Sequence, residues 1–158
     1  DVAELARVLA GGARLGADRG AARGGARALH AGAALVGTSG TATTADVLDA
    51  GGVFQGGAIL PGLDLMRMSL ARDTAQLPFA DGRFAQTPRR TADAIVTGCL
   101  HAQLGAIERM FRLVAAGEGA LCLLNGGAAA SLAPHLECPH RVVDNLVLEG
   151  LARMLNDL

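Results

Sequence analysis

Between residues 33 and 60 the chain alternates short runs rich in Val, Leu, Ile and Thr with glycine-containing turns. Connections that short force consecutive strands to pair antiparallel, because a parallel return needs a crossover of about a dozen residues or more. The spacing predicts strands over 33–38, 41–49 and 53–60. Within the stretch "GTSGTATTADVLDAGGVFQGGAILPG", Thr38, Ser39, Thr41, Thr43 and Thr44 surround Gly37 and Gly40. Two readings stand side by side. The hydroxylated residues serve their β-propensity in an ordinary hairpin, or the turn presents N–H groups and hydroxyls to phosphate oxygens. On spacing alone the hairpin is the simpler reading.

Around that meander the periodicity is helical. Residues 1–10 read as a short amphipathic helix ended by Gly11 and Gly12. Residues 17–30 read as a helix with Arg19, Arg23 and Arg27 along one face. Gly20, Gly24 and Gly25 each cost such a helix about 1 kcal/mol relative to alanine, so a close backbone neighbour is expected there. Pro61 stands where a further helix begins, with Leu63, Met66 and Leu70 as its apolar stripe. Residues 74–90 read as a loop and 91–116 as a long helix.

That long helix has two apolar faces. Ile95, Gly98, Cys99, Ala102, Gly105 and Ala106 make a small one; Leu100, Leu104, Ile107, Phe111 and Val114 make a larger one. Such a helix is expected between two layers, one the domain's own sheet and the other a second subunit. Residues 120–136 read as buried strand, glycine turn and helix, "HRVVD" as a last strand, and 145–155 as a last helix. Three antiparallel strands followed by alternating helix and strand is the layout of a ribonuclease-H-like α/β domain. The 158 residues are expected to form one such domain, with a mixed sheet.

Composition removes whole classes of function. All 14 basic residues are arginine, so a Schiff-base lysine and a lysine-bearing Walker A loop are both out of reach. A formal net charge of -1 and the lack of Trp and Tyr argue against a nucleic-acid partner. No apolar run approaches the roughly eighteen residues of a membrane span, so no membrane association is expected. No secretion signal opens the chain, which starts on Asp1 as a fragment or processed product would. Cys99, Cys122 and Cys138 are too scattered for a disulfide framework and fit a reducing compartment. Two of them form Cys-x-His pairs with His101 and His140, but residues two apart on a helix face different ways, and zinc is not expected.

Several residues are candidates for chemistry. Asp18 and Arg19 stand at a helix start, where an aspartate serves as a cap or, given a substrate hydroxyl in reach, as a general base. Asp46 and Asp49 have salt bridges as their default role, and Thr91 is well placed as a helix N-cap. The "NGGA" turn at 125–128 lies between strand and helix, where a nucleotide can approach, though helix capping is the commoner use.

Taken together, the motifs resemble type III pantothenate kinases. Gly16-Ala17-Asp18-Arg19 matches the family's Gly-Ala-Asp-Arg, and Gly40-Thr41-Ala42-Thr43-Thr44 its Gly-Thr-Ala-x-Thr turn. The run from Gly56 to Gly62 matches Gly-Gly-x-Ile-x-Pro-Gly. "SLARDTAQLP", "TADAIVTG" and "GAIER" follow in family order. The resemblance implies ATP-dependent phosphorylation of pantothenate, the first step of coenzyme A biosynthesis, by a cytoplasmic homodimer. It implies that Asp18 accepts the proton of the pantothenate hydroxyl, that Gly16, Ala17 and Arg19 surround that substrate, that Thr91 hydrogen-bonds it, and that Gly40 and Thr41 contact ATP. Mg2+ is implied to arrive with the nucleotide.

The sequence departs from the family in three places. Thr38 stands where many members place a cation-binding aspartate, so a potassium site is not expected. Gly20 replaces a bulky aromatic, and the family's N-terminal domain, with its Asp-x-Gly-Asn phosphate motif, has no counterpart in these residues. The chain is therefore expected to correspond to the C-terminal domain of the kinase. A non-catalytic member serving binding or regulation is the alternative.

Overall fold

The computed structural model describes residues 16–74, 77 and 81–156; the helix expected over 1–10 lies outside them. In chain order the elements are α1 (Ala17–Leu29), β1 (Ala34–Ser39), β2 (Ala42–Leu48), β3 (Phe54–Pro61), α2 (Leu63–Asp73) and α3 (Thr91–Phe111). They are followed by β4 (Leu121–Asn125), α4 (Ala129–Leu132), a 3-10 turn (Ala133–His135), β5 (His140–Val142) and α5 (Leu146–Asn156). The five strands form one mixed sheet in the order β3-β2-β1-β4-β5. β1 pairs antiparallel with β2 and parallel with β4, β2 pairs antiparallel with β3, and β4 parallel with β5. This is the expected ribonuclease-H-like arrangement, opening on the antiparallel meander.

Strand alternation sorts the core onto two faces. Leu35, Ala45, Val47, Cys122 and Leu124 pack with Leu100, Leu104, Ile107 and Phe111 of α3. Val36, Leu48 and Leu123 pack with Ala22 and Ala26 of α1 and Leu146 of α5. The larger apolar face of α3 is thus the one laid on the sheet, as its periodicity required. Its small face is open at Gly98 and Gly105, where an added Cβ would meet nothing within 4 Å, while Cys99 on the same face is buried.

α1 and α5 cross at glycines. A Cβ on Gly150 would run into the carbonyl of Ala21, and one on Gly25 into the carbonyl of Leu146. Gly25 therefore has the close backbone neighbour its helix cost demanded. The arginine stripe of α1 faces inward rather than to solvent. Arg19 reaches Asp46, Arg23 stacks 4.3 Å over the Phe54 ring, and Arg27 donates to the carbonyls of Ala31 and Ala50.

Some boundaries differ from expectation. The helix predicted to reach 116 ends at Phe111, where Leu113 N–H and Val114 N–H bond three residues back, to Met110 and Phe111. Val114 is nevertheless buried, so the apolar period outlasts the helix that produced it. Pro61 closes β3 instead of opening a helix: it pairs with Ala42 on the edge strand, where its missing N–H costs no ladder bond. Gly62 caps α2 in its place. The helix expected after the "NGGA" turn runs only four residues before Pro134 tightens it into the 3-10 turn.

The crossing yields a stability prediction. Gly150→Ala gains helix propensity but forces the α1–α5 backbones apart, so it should destabilise by about 1–3 kcal/mol in urea unfolding. Leu148→Ala, on the exposed side of the same helix, should stay within about 0.5 kcal/mol.

Candidate active site

The two glycine turns singled out in the sequence are one structure. β1 and β2 are joined by Gly40 and Thr41 alone. Gly126, at φ +98°, lies so close to Ser39 that a Cβ would overlap its backbone, and Ala128 N–H donates to Ser39 O at 3.1 Å. Only glycine combines that dihedral with that approach. Asn125 Nδ2 donates to Gly37 O (3.0 Å) and to Thr38 Oγ1 (2.9 Å), so β4 and β1 are cross-linked beside the turn. Ser39 Oγ and Thr43 Oγ1 hydrogen-bond each other at 3.1 Å inside the sheet. Those two hydroxyls serve the hairpin; Thr41 stands exposed at its tip.

The corner after β3 is tied to the same tip. Gly62 N–H donates to Thr41 O at 2.8 Å, and a side chain at Gly62 would collide with the carbonyl of Gly40. A cavity of about 640 Å³ opens there, lined by Gly40, Thr41, Arg67, Gly127, Ala128 and Ser131. It brings together the hairpin tip, the strand-to-helix turn and one arginine of α2. Nothing in sequence spacing pointed to Arg67.

On the other side of the sheet, Gly16, Ala17 and Asp18 lead into α1, with Asp18 in its first turn. Arg19 makes a two-pronged ion pair with Asp46 of β2: Nε lies 3.1 Å from Oδ2, and Nη2 bonds Oδ1. The side chains are 12% and 3% exposed. Gly57 of β3 makes room, since a Cβ there would strike both Asp46 Oδ1 and the Arg19 guanidinium. Arg23 lies alongside, 1% exposed, its Nε donating to Arg19 O at 3.2 Å. Burial pulls the Arg23 pKa below the usual guanidinium value, with Asp46 opposing that fall and Arg19 adding to it. Asp46 thus has the salt bridge expected of it. Asp49 instead organises the β2–β3 turn, accepting from Val53 N–H at 2.9 Å and Gln55 Nε2 at 2.7 Å.

Thr91 is the first residue of α3, not its cap; Arg90 holds the cap position without a side-chain bond. Thr91 lines a second cavity, of about 530 Å³, with Met66, Leu70, Ile95, Gly98 and Cys99. α1 and α3 pack on opposite faces of the sheet. The structure therefore gathers Gly40 and Thr41 with Gly127, but sets Thr91 on the face opposite the helix of Asp18 and Arg19.

The cysteines sort differently from their sequence spacing. Cys122 of β4 and Cys138 share a hydrogen bond between thiols, which pushes Cys122 up, helped by burial, and pulls Cys138 down. Thr38 is engaged as the acceptor for Asn125. Among the described residues no three His, Cys, Asp or Glu side chains cluster as a metal site would require.

The ion pair gives a direct test. Asp46→Asn leaves two buried guanidinium groups without their counter-charge and should cost about 3–5 kcal/mol in chemical unfolding. The double variant Arg19→Met/Asp46→Leu should lose clearly less than the sum of its single changes.

Comparison with known proteins fits this geometry. The type III pantothenate kinase family model matches residues 6–113. A type III pantothenate kinase of Aromatoleum aromaticum is 64% identical over 140 residues, covering 89% of this chain and 58% of that protein. Among solved structures, one from Campylobacter jejuni, described as a Baf family transcriptional activator, superposes with TM-score 0.68 at 22% identity, covering 91% of this chain and 65% of that one. A structure from Sinorhizobium meliloti, described as a 2-dehydro-3-deoxygalactonokinase, gives TM-score 0.57 at 19% identity, over 87% and 58% of the two chains. These two likenesses support the actin- and hexokinase-type fold. The chain spans little more than half the length of the curated relatives it matches. With the family model covering most of its residues, the chain belongs to the type III pantothenate kinase family.

Proposed function

We propose that this chain is the C-terminal domain of a cytoplasmic, ATP-dependent pantothenate kinase. The observation that carries the reading is the meeting of the Gly40–Thr41 tip with Gly127 and Ala128 of the second glycine turn at one cavity, in a member of this family. Such paired turns offer backbone N–H groups to phosphate oxygens without a lysine. Phosphoryl transfer asks a protein mainly for alignment and charge neutralisation. Mg2+, bound through the nucleotide's phosphates, would supply part of that neutralisation.

In this reading Asp18 accepts the proton of the pantothenate primary hydroxyl as its oxygen attacks the γ-phosphate. Gly16, Ala17 and Arg19 border the substrate, and Thr91, which lies across the sheet from α1 within one chain, hydrogen-bonds the substrate held by a second copy. The Arg19–Asp46 pair holds the first turn of α1 against β2, which supports a fixed position for Asp18. Arg19 then serves first as an anchor, since Asp46 already engages both arms of its guanidinium. No potassium site is proposed at Thr38.

Two further observations support a homodimer. The small face of α3 is open at Gly98 and Gly105, and Thr91 lies on the opposite side of the sheet from α1. Two copies joined through α3 would cover the open face. The alternative, a non-catalytic family member, is favoured by one observation: Thr38 stands where many members carry a cation-binding carboxylate.

An ATP-consumption assay with pantothenate separates these readings. Residues 1–158 alone should bind ATP weakly and turn over little, because half a phosphate cradle cannot align donor and acceptor. Supplying the family's N-terminal domain, in cis or in trans, should restore activity. Robust turnover by the isolated chain would overturn the two-domain reading; an inert completed protein that also fails to bind pantothenate would establish the non-catalytic one. In the active form Asp18→Asn should lower turnover by roughly 10²–10⁴-fold while pantothenate still binds.

For assembly, light scattering at tens of micromolar should report a dimer. Ala102→Arg, on the exposed small face, should convert it to monomer. A monomeric wild type would sink the dimer.

A further inference from the structure

We propose that Gln103 of α3 is a positioning residue for the phosphate-binding tip, holding Gly40 and Thr41 in place through the Pro61–Gly62 peptide unit; this rests on the nucleotide-binding reading above. Gln103 is 0% exposed, on a helix that lays Leu100, Leu104, Ile107 and Phe111 against the sheet. Its Nε2 donates to Pro61 O and lies 3.6 Å from Met66 Sδ. Its Oε1 is buried with no partner among the described residues. An orphaned buried acceptor weakens a fold, and an apolar side chain of similar size would avoid that loss. A polar group kept in the core on those terms is accounted for by the geometry it fixes.

What Gln103 fixes is one rigid plate. In a trans peptide unit the C=O and the following N–H leave a single plane in opposite directions. The Pro61–Gly62 unit is held at both ends: its C=O accepts from Gln103, and its N–H donates to Thr41 O at 2.8 Å. No rotatable bond lies between those two contacts. The plate cannot slide toward the tip, because a Cβ on Gly62 would already overlap the carbonyls of Gly40 and Thr41. β3 is the last strand on its side of the sheet, so no strand takes over the Pro61 carbonyl when Gln103 is replaced. α3 also supplies Val96 and Leu100 to the cavity at the tip. One side chain thus sets the distance between the cavity's helical wall and the turn that meets phosphate.

The test is NMR of the 158-residue chain with ATP titrated to millimolar concentration. In the wild type, ATP should shift the Gly40, Thr41 and Gly127 amides and, through the plate, the Gly62 amide and the Gln103 side-chain amide. Gln103→Met removes the donor and stays apolar. It should speed hydrogen exchange at the Gly62 amide about tenfold, leave the buried Leu35 and Leu123 amides at wild-type rates, and weaken ATP about tenfold. A merely structural Gln103 would instead speed all three amides alike and leave ATP affinity unmoved. Wild-type ATP affinity or wild-type Gly62 exchange in Gln103→Met overturns the assignment and leaves the nucleotide site standing. So does a wild-type Gln103 side-chain signal that stays still while the tip amides shift, a readout that holds even where the variant fails to fold. If ATP moves none of these amides in the wild type, the nucleotide reading falls and the role of Gln103 with it.

Discussion

β1 is hydrogen-bonded along both edges, antiparallel to β2 and parallel to β4, and the two glycine turns take their positions from that double pairing. The antiparallel side sends the chain back through a two-residue tip at Gly40 and Thr41. The parallel side brings the end of β4 level with the end of β1, Thr38 opposite Asn125. Both strands therefore release their following turns at the same end of the sheet. Gly126 settles on Ser39 because nothing larger than a hydrogen separates the two backbones. In open α/β sheets ligands gather where strand ends and direction changes coincide, and this is such a place.

The two faces of the sheet are held by different physics. On the α3 side the contact is aliphatic and aromatic, the ordinary burial of Leu, Ile and Phe. On the α1 side Val36, Leu48, Leu123 and Leu146 pack with the small Ala22 and Ala26, and the largely buried Arg19 and the buried Arg23 are added beside them. A buried ion pair contributes little net stability, but breaking it is costly. Such a device suits a position more than a ledger of stability: it fixes the first turn of α1, where Asp18 stands, in one register against β2. The second guanidinium, stacked on Phe54, leaves the cluster with a positive excess that only a close-packed, specific geometry tolerates.

Much of this architecture was legible. The three strands of the meander fell within a residue or so of their observed ends, because β-branched runs between glycine turns have few other solutions. The large face of α3 was readable from its period, and Gly25 announced a close neighbour through its cost to a helix. Errors clustered where local rules met tertiary context. Pro61 looked like a helix opener but closes an edge strand. Thr91 looked like a cap but is the first helical residue. The end of α3 was overrun because Val114 remains buried in a turn, and burial rather than helicity is what an apolar period records.

The sequence by itself determined the class of sheet, the family and the identity of the candidate residues, since pattern, turn chemistry and motif order are local properties of the chain. Only the tertiary structure decided what these residues touch. It joined two glycine turns 87 residues apart, Gly40 and Gly127, at one cavity. It turned an arginine stripe inward onto Asp46 and Phe54, set Thr91 on the opposite side of the sheet from α1, and put Arg67 beside the hairpin tip. Those outcomes depend on strand order and on which helix covers which face. Both are settled by packing between segments distant in the chain, for which a single sequence carries no local signal.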